Sequence, residues 1–200
     1  EQSSVSIFEH PLLGRGFRPF FMMAAGYSVL SLVFWVGIQM VIWDAPEVTG
    51  DPVLWHAHEM IYGFVMAVVA GFLLTAVANW TGGAPVRQLH LLFLCILWLG
   101  GRIVMHASGL PVWLVGIVDC SFIPALAISL SLPLIKSRNV RNFIFLGILT
   151  VLFVCNIAFF VTQERLPLHI ALLTIVTMIS LVGGRIIPAF TVAGLRRIGL

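Results

Sequence analysis

Charge is scarce in this 200-residue chain: only 10% of its side chains are charged, where a soluble domain carries roughly 25%. With 60% hydrophobic residues and a mean hydropathy of +1.07, no water-soluble fold of this length hides enough apolar surface. That excludes a cytosolic enzyme, a secreted disulfide scaffold and a disordered chain. Cysteine is scarce as well. Cys95, Cys120 and Cys155 all fall within apolar runs, with no C-x-x-C or C-x-x-C-H spacing, so they read as small hydrophobes rather than disulfide partners. A signal pattern is missing too: Glu1 to His10 is polar and the first apolar run is too long for a signal h-region, so no cleavable leader is expected. The formal net charge of +3 and the pI near 9.1 do not point to nucleic acid, because the basic residues sit at the ends of apolar segments, as membrane topology demands.

What is abundant is apolar sequence in runs of membrane-spanning length. A bilayer core of about 30 Å needs ~20 helical residues. Six segments qualify: residues 20–43, 53–78, 89–106, 110–135, 142–162 and 167–188. The fourth contains Pro124 and Pro133 and is expected to kink near its middle. The expected fold is all-α, a polytopic membrane bundle of six transmembrane helices forming a single domain over residues 1–200. If the hairpins alternate, Arg15, Arg18, Arg87, Lys136, Arg138, Arg141, Arg196 and Arg197 share one side. Asp44, Glu47, Asp51, Glu59 and Glu164 share the other, with Arg165 alone for basic company. The positive-inside rule then places both termini in the cytoplasm. The tryptophans, Trp35, Trp43, Trp55, Trp80, Trp98 and Trp113, lie mostly toward helix ends, as interfacial belts require.

Ionisable side chains inside a span are expensive and mark sites by default. Here they are Glu59, Arg102, Asp119 and Arg185. Counted from the turn at Gly109–Leu110, Arg102 and Asp119 lie at the same depth, roughly 12–13 Å, on consecutive antiparallel helices. An Arg102–Asp119 ion pair is therefore expected. It serves either to lock two helices together or to offer counter-charge to an anionic ligand such as a haem propionate. Arg185 has no level acidic partner and is the better anion-binding candidate.

The histidines are sided. His56, His58, His106 and His169 fall near the outer face with Met60 and Met105, while His10 and His90 lie opposite. Imidazole ligates copper, iron and zinc, and thioether sulfur favours Cu(I); the same residues also serve as interfacial hydrogen-bonding anchors. His56 and Met60 share a helix face, whereas His56 and His58 stand about 200° apart. Either the helix start is irregular or the two histidines serve different partners. Gly63, Ala67, Ala70 and Gly71 line one stretch of the second helix, fitting a haem slot or close helix packing. Residues 99–103 (LGGRI) and 182–186 (VGGRI) repeat one pattern on helices of opposite direction, a hint of an inverted repeat.

Four blocks carry a resemblance: Gly16-Phe17-Arg18-Pro19-Phe20-Phe21; Trp55-His56-Ala57-His58-Glu59-Met60; Gly71 to Val77 leading to Asn79-Trp80-Thr81-Gly82; and Gly183-Gly184-Arg185-Ile186-Ile187-Pro188-Ala189-Phe190-Thr191. In this order they resemble the NnrS family, multi-pass bacterial membrane proteins. Typical members are about twice as long, so the likeness is to their N-terminal half. The resemblance implies an inner-membrane protein that binds haem and copper and acts in the nitric oxide response, nitrosative-stress resistance or denitrification. Nitric oxide would be its small-molecule ligand and the lipid bilayer its surroundings. It further implies His56, His58, His169, Arg102 and Arg185 as cofactor-binding residues, and His56, His58, His169, Glu59 and Met60 as metal ligands; His106 matches no family block and joins the metal set from the outer histidine layer. Catalytic, sensing and scavenging roles all stay open, as does assembly with a second copy or a respiratory partner. Two other readings stand beside it. One is a membrane transporter or copper-handling permease, favoured by the repeat, Pro124 and the His/Met layer. The other is a structural partner of a haem-copper oxidase or nitric oxide reductase.

Overall fold

The structure is a computed structural model and describes residues 10–197. Among the described residues it is all-α, helices and loops with no strand, and it has six stretches long and apolar enough to cross a membrane: Phe17–Gln39, Pro52–Thr81, Gln88–His106, Val112–Lys136, Val140–Thr162 and Arg165–Arg197. A short 3-10 turn, Pro11–Gly14, leads into α1 (Phe17–Gln39). The second span is compound: α2 (Pro52–His58), a π-helical stretch (Glu59–Val65) and α3 (Met66–Thr81). The third is α4 (Gln88–His106) and the fourth is divided into α5 (Val112–Cys120) and α6 (Phe122–Lys136). A 3-10 turn at Val140–Asn142 opens the fifth, α7 (Ile144–Thr162), and α8 (Arg165–Arg197) is the sixth.

Two helix ends differ clearly from the sequence expectation: the sixth span continues through Pro188 to Arg197, and the first stops short. The first helix ends at Gln39 rather than Trp43. Val41 takes a positive φ of 58° and the Ile42 amide returns to the Gly37 carbonyl at 2.9 Å, closing the helix in the manner of a Schellman turn. The Trp43 ring folds back over Gly37, where a Cβ would collide with it, and stacks on Phe34 at 5.4 Å. In the fourth span the kink expected near its middle falls at Ser121. Pro124 supplies no amide for the Cys120 carbonyl and its ring crowds that oxygen, so α5 stops at Cys120. Pro133 lies inside α6 without breaking it.

The π-helical stretch has the opposite origin. It admits one extra residue per turn, and such stretches recur at functional sites. Here it turns Glu59, Tyr62 and Gly63 inward together, and all three are buried. The second span is the most enclosed of the six and the sixth the least, 61% against 17% buried. Lipid tails are as apolar as leucine, so close packing and polar contacts hold such a bundle rather than hydrophobic burial.

The spans alternate, which gathers the loops at two ends. At the acidic end, Glu47 accepts from the Gly109 amide at 2.8 Å and Asp51 meets Arg165 at 3.4 Å, joining three loops. Beneath them, Ile38, Val48, Trp55, Met105 and Val115 form a small core of their own. At the basic end, Asn139 donates to the Trp80 carbonyl at 3.3 Å and Arg185 to Asn142 at 2.8 Å. Trp55 and Trp98 are core residues, not belt residues: both are buried, and Trp98 donates from Nε1 to the Gly63 carbonyl at 3.0 Å.

Candidate functional site

Five of the spans each send polar side chains to one buried point. Tyr27 comes from α1, His58 and Glu59 from the junction of α2 with the π-helical stretch, Arg102 from α4, Asp119 from α5 and Asn156 from α7. Arg102 Nη1 donates to both oxygens of Glu59 at 2.7 Å, and its Nη2 donates to Asp119 Oδ1. Tyr27 donates its hydroxyl to Glu59 Oε2. His58 sits between the carboxylates, with Nδ1 2.9 Å from Glu59 Oε1 and Nε2 3.0 Å from Asn156 Oδ1. Asn156 donates from Nδ2 to Asp119 Oδ2 at 2.7 Å.

The backbone is cut to fit this cluster. Gly63 leaves room for Arg102: a Cβ there would stand 2.8 Å from Nη1. Gly101 does the same for Asp119, whose Oδ1 would lie 2.8 Å from an added Cβ. The Tyr27 and Trp98 rings face the Arg102 guanidinium at 5.8 and 6.0 Å, a favourable placement for a desolvated cation. Charges so deep are tolerable only when paired and hydrogen-bonded.

Arg102 and Asp119 therefore meet level across their hairpin, but the structure adds Glu59 as a second anion. Both outer nitrogens of Arg102 are taken by carboxylates, which stands against a haem propionate there, and only its buried Nε lacks a hydrogen-bond partner. The ligand role expected of His58 and Glu59 meets the same obstacle: both ring nitrogens of His58 and both oxygens of Glu59 are already engaged. Sequence reasoning missed Tyr27 and Asn156. Asn156 had a signal, an amide in the middle of the apolar run of α7, since a lone polar group in a span seeks a partner on another helix.

His56 and His58 serve different partners. His56 stacks on Trp35 of α1 at 4.4 Å, and His58 stacks on Phe159 of α7 at 4.8 Å. The Nδ1 atom of His56 is buried without a hydrogen-bond partner. His106 lies edge-on to Trp55 at 5.1 Å and donates from Nδ1 to the Arg102 carbonyl at 2.8 Å, so its Nε2 carries the lone pair. His169 makes the same bond to the Arg165 carbonyl at 3.0 Å on the exposed start of α8. Met60 is half-buried on the π-helical stretch, and Met105 is fully buried. At the basic end, His90 meets Ser129 at 2.8 Å and His10 caps the first 3-10 turn.

The small residues of the second span pack helices. Ala67 and Ala70 are fully buried, and the Phe20 and Phe21 side chains close over Gly71. The two GGRI segments find unlike surroundings: Gly101 abuts Asp119, whereas nothing lies within 4 Å of a Cβ at Gly184. Arg185 instead borders a cavity of about 330 Å³ at the basic end, with Trp80, Arg141, Asn142 and Phe145.

Compared with protein-family models, residues 11–199 match the family described as NnrS protein. The chain belongs to the NnrS family. No curated protein and no solved structure matches it. NnrS membership suggests a membrane protein of the nitric oxide response. The NnrS-like block Trp55–Met60 spans the change from α-helical to π-helical backbone. The block Gly183–Thr191 runs along the lightly packed end of α8.

The donors present fit the two metals of the NnrS resemblance unequally. Haem iron needs only one or two imidazoles from the protein. His106 has the form common in metal-bound histidine, one ring N–H held by a carbonyl and the other nitrogen presenting its lone pair, and His56 has a buried nitrogen without a partner. Copper fits poorly, because among the described residues no three His, Cys, Asp or Glu side chains are grouped to hold a metal ion.

Proposed function

We propose that this chain is a haem-binding protein of the bacterial inner membrane that meets nitric oxide at its acidic, periplasmic end. NnrS membership supports the process. The observation that carries the site is the imidazole layer at that end: the unpartnered buried nitrogen of His56 and the lone-pair nitrogen of His106, both rings beside Trp55. His56 and His106 would hold the iron, and His169, exposed on α8, is the alternative to one of them. Bound ferrous haem supplies a tight site for nitric oxide.

The chain's own part is to hold these rings. Trp35 fixes the plane of His56 by stacking, while Trp55 and Phe34 pack against His106. Arg102 accepts the His106 ring proton at its carbonyl, and its own side chain is anchored to Glu59 and Asp119. The buried cluster is in this reading a positioning frame beneath the haem-binding layer. Both termini lie in the cytoplasm, with the eight basic residues of that end.

Titrating the purified full chain with haem tests the proposal. A saturable Soret shift, moved again by nitric oxide after reduction, supports it. The absence of haem binding overturns it.

A further inference from the structure

We infer that the basic end of the sixth span carries a binding site for an anionic phospholipid, with its headgroup at Arg141 and Arg185 and one acyl chain along the groove between the second and sixth spans. The cavity of about 330 Å³ at this end is lined by two guanidiniums and, among the described residues, no carboxylate. Arg185 is pre-positioned: it donates to Asn142 Oδ1 at 2.8 Å and lies over the Phe145 ring at 5.7 Å. Asn142 is itself buried, 7% exposed. Two cations with five or more free N–H donors suit a phosphodiester better than any neutral headgroup.

A second cavity of about 310 Å³ continues from the first, sharing Val182 and Ile186 with it. Its lining is entirely apolar, with Phe72, Ile175 and Met178 along its length. From Ile186 back to Ile175 the helix rises about 16 Å, close to half of a ~30 Å hydrocarbon core. The groove therefore matches the chain of one leaflet. Depth agrees, since Arg185 lies about 30 Å along α8 from Arg165 at the acidic end and so reaches headgroup level, where Trp80 stacks on Phe145 at 5.3 Å. Basic pockets between helices on the cytoplasmic side are a recurring form of lipid headgroup site. The other anionic amphiphile to consider is haem, whose carboxylates share this chemistry. Among the described residues no imidazole lines either cavity.

Native mass spectrometry of the full chain, released from mixed phosphatidylglycerol and phosphatidylcholine, tests the inference. At ~1 kcal/mol per basic residue, two arginines predict a preference for phosphatidylglycerol of roughly thirtyfold. The double variant Arg141→Gln/Arg185→Gln should lose that preference. Gly183→Leu, whose Cβ meets only Ile187 at 3.8 Å, should fold normally and lower retention of the lipid with both arginines intact. It decides the matter if the double variant does not fold. Equal retention of the two lipids by the unaltered chain overturns the inference, as does undiminished retention in Gly183→Leu. Loss of Soret absorbance in the double variant with phosphatidylglycerol retention unchanged would assign the pocket to a haem carboxylate and overturn it too. The outcome is independent of where iron binds at the acidic end.

Discussion

Asn156 donates from Nδ2 to Asp119 Oδ2 at 2.7 Å, and this contact sets the charge of His58. A carboxylate accepts only, so the amide must turn its Oδ1 toward His58 Nε2, 3.0 Å away. The other ring nitrogen faces Glu59 Oε1 at 2.9 Å. Both neighbours accept, so both ring nitrogens donate. Two cations, Arg102 and His58, then balance two carboxylates, Glu59 and Asp119, and the cluster closes without net charge inside the bilayer. The expected observation is a pair of protonated ring nitrogens for His58 in 15N spectra at neutral pH, lost in Asn156→Leu. A neutral tautomer in the unaltered chain would refute this arrangement.

The ion pair at the centre makes a coupled prediction. Arg102→Gln or Asp119→Asn strands a buried charge and should destabilise the chain by ~3–5 kcal/mol. The double variant should be milder than the sum of the two, because it removes both charges at once. Thermal unfolding in detergent of all four proteins checks this, and strictly additive losses would show that the residues act separately.

Gly63 and Gly184 should respond oppositely to the same change. Gly63→Ala pushes a methyl group against Arg102 and Tyr27, so a loss of about 1–3 kcal/mol is expected. Gly184→Ala meets open space and should be neutral or gain about 0.5–1 kcal/mol from helix propensity. Unfolding midpoints of the two variants decide it. Equal effects would mean that the close approach at Gly63 is not what holds the cluster.

Topology has its own test. Reporter fusions after Gly50 and Ser108 should read as periplasmic, and fusions after Ala84 and Ser137 as cytoplasmic. The expectation comes from the basic residues gathered at one end, and a reversed pair would move the histidine layer to the other face.

The spans were legible in the sequence because bilayer thickness sets the length of an apolar run, whatever the packing. The level of Arg102 with Asp119 was legible because a short turn makes residue counting a measure of depth. The end of α1 was not, since Val41 and Trp43 are as apolar as the helix before them and only the turn at Gly37 ends it. The π-helical stretch left no trace in hydropathy: one extra residue per turn changes which face looks inward without changing composition. Glu59 therefore read as a ligand of an outer metal, when the wider turn delivers it to Arg102. Asn156 and Tyr27 escaped a search for ionisable residues because neither carries charge at neutral pH, although both supply donors that the carboxylates need.

The central claim is that imidazoles at the acidic end hold haem iron, and Soret absorbance of haem-loaded His56→Ala, His106→Ala and His169→Ala, in protein that inserts normally, measures it most directly. Loss or displacement of the band is predicted for His56→Ala and His106→Ala, with a smaller effect at His169, which is exposed on α8. His90→Ala at the opposite end should match the unaltered chain. Full, unshifted haem absorbance in all three acidic-end variants would contradict the claim and leave these histidines as interfacial anchors.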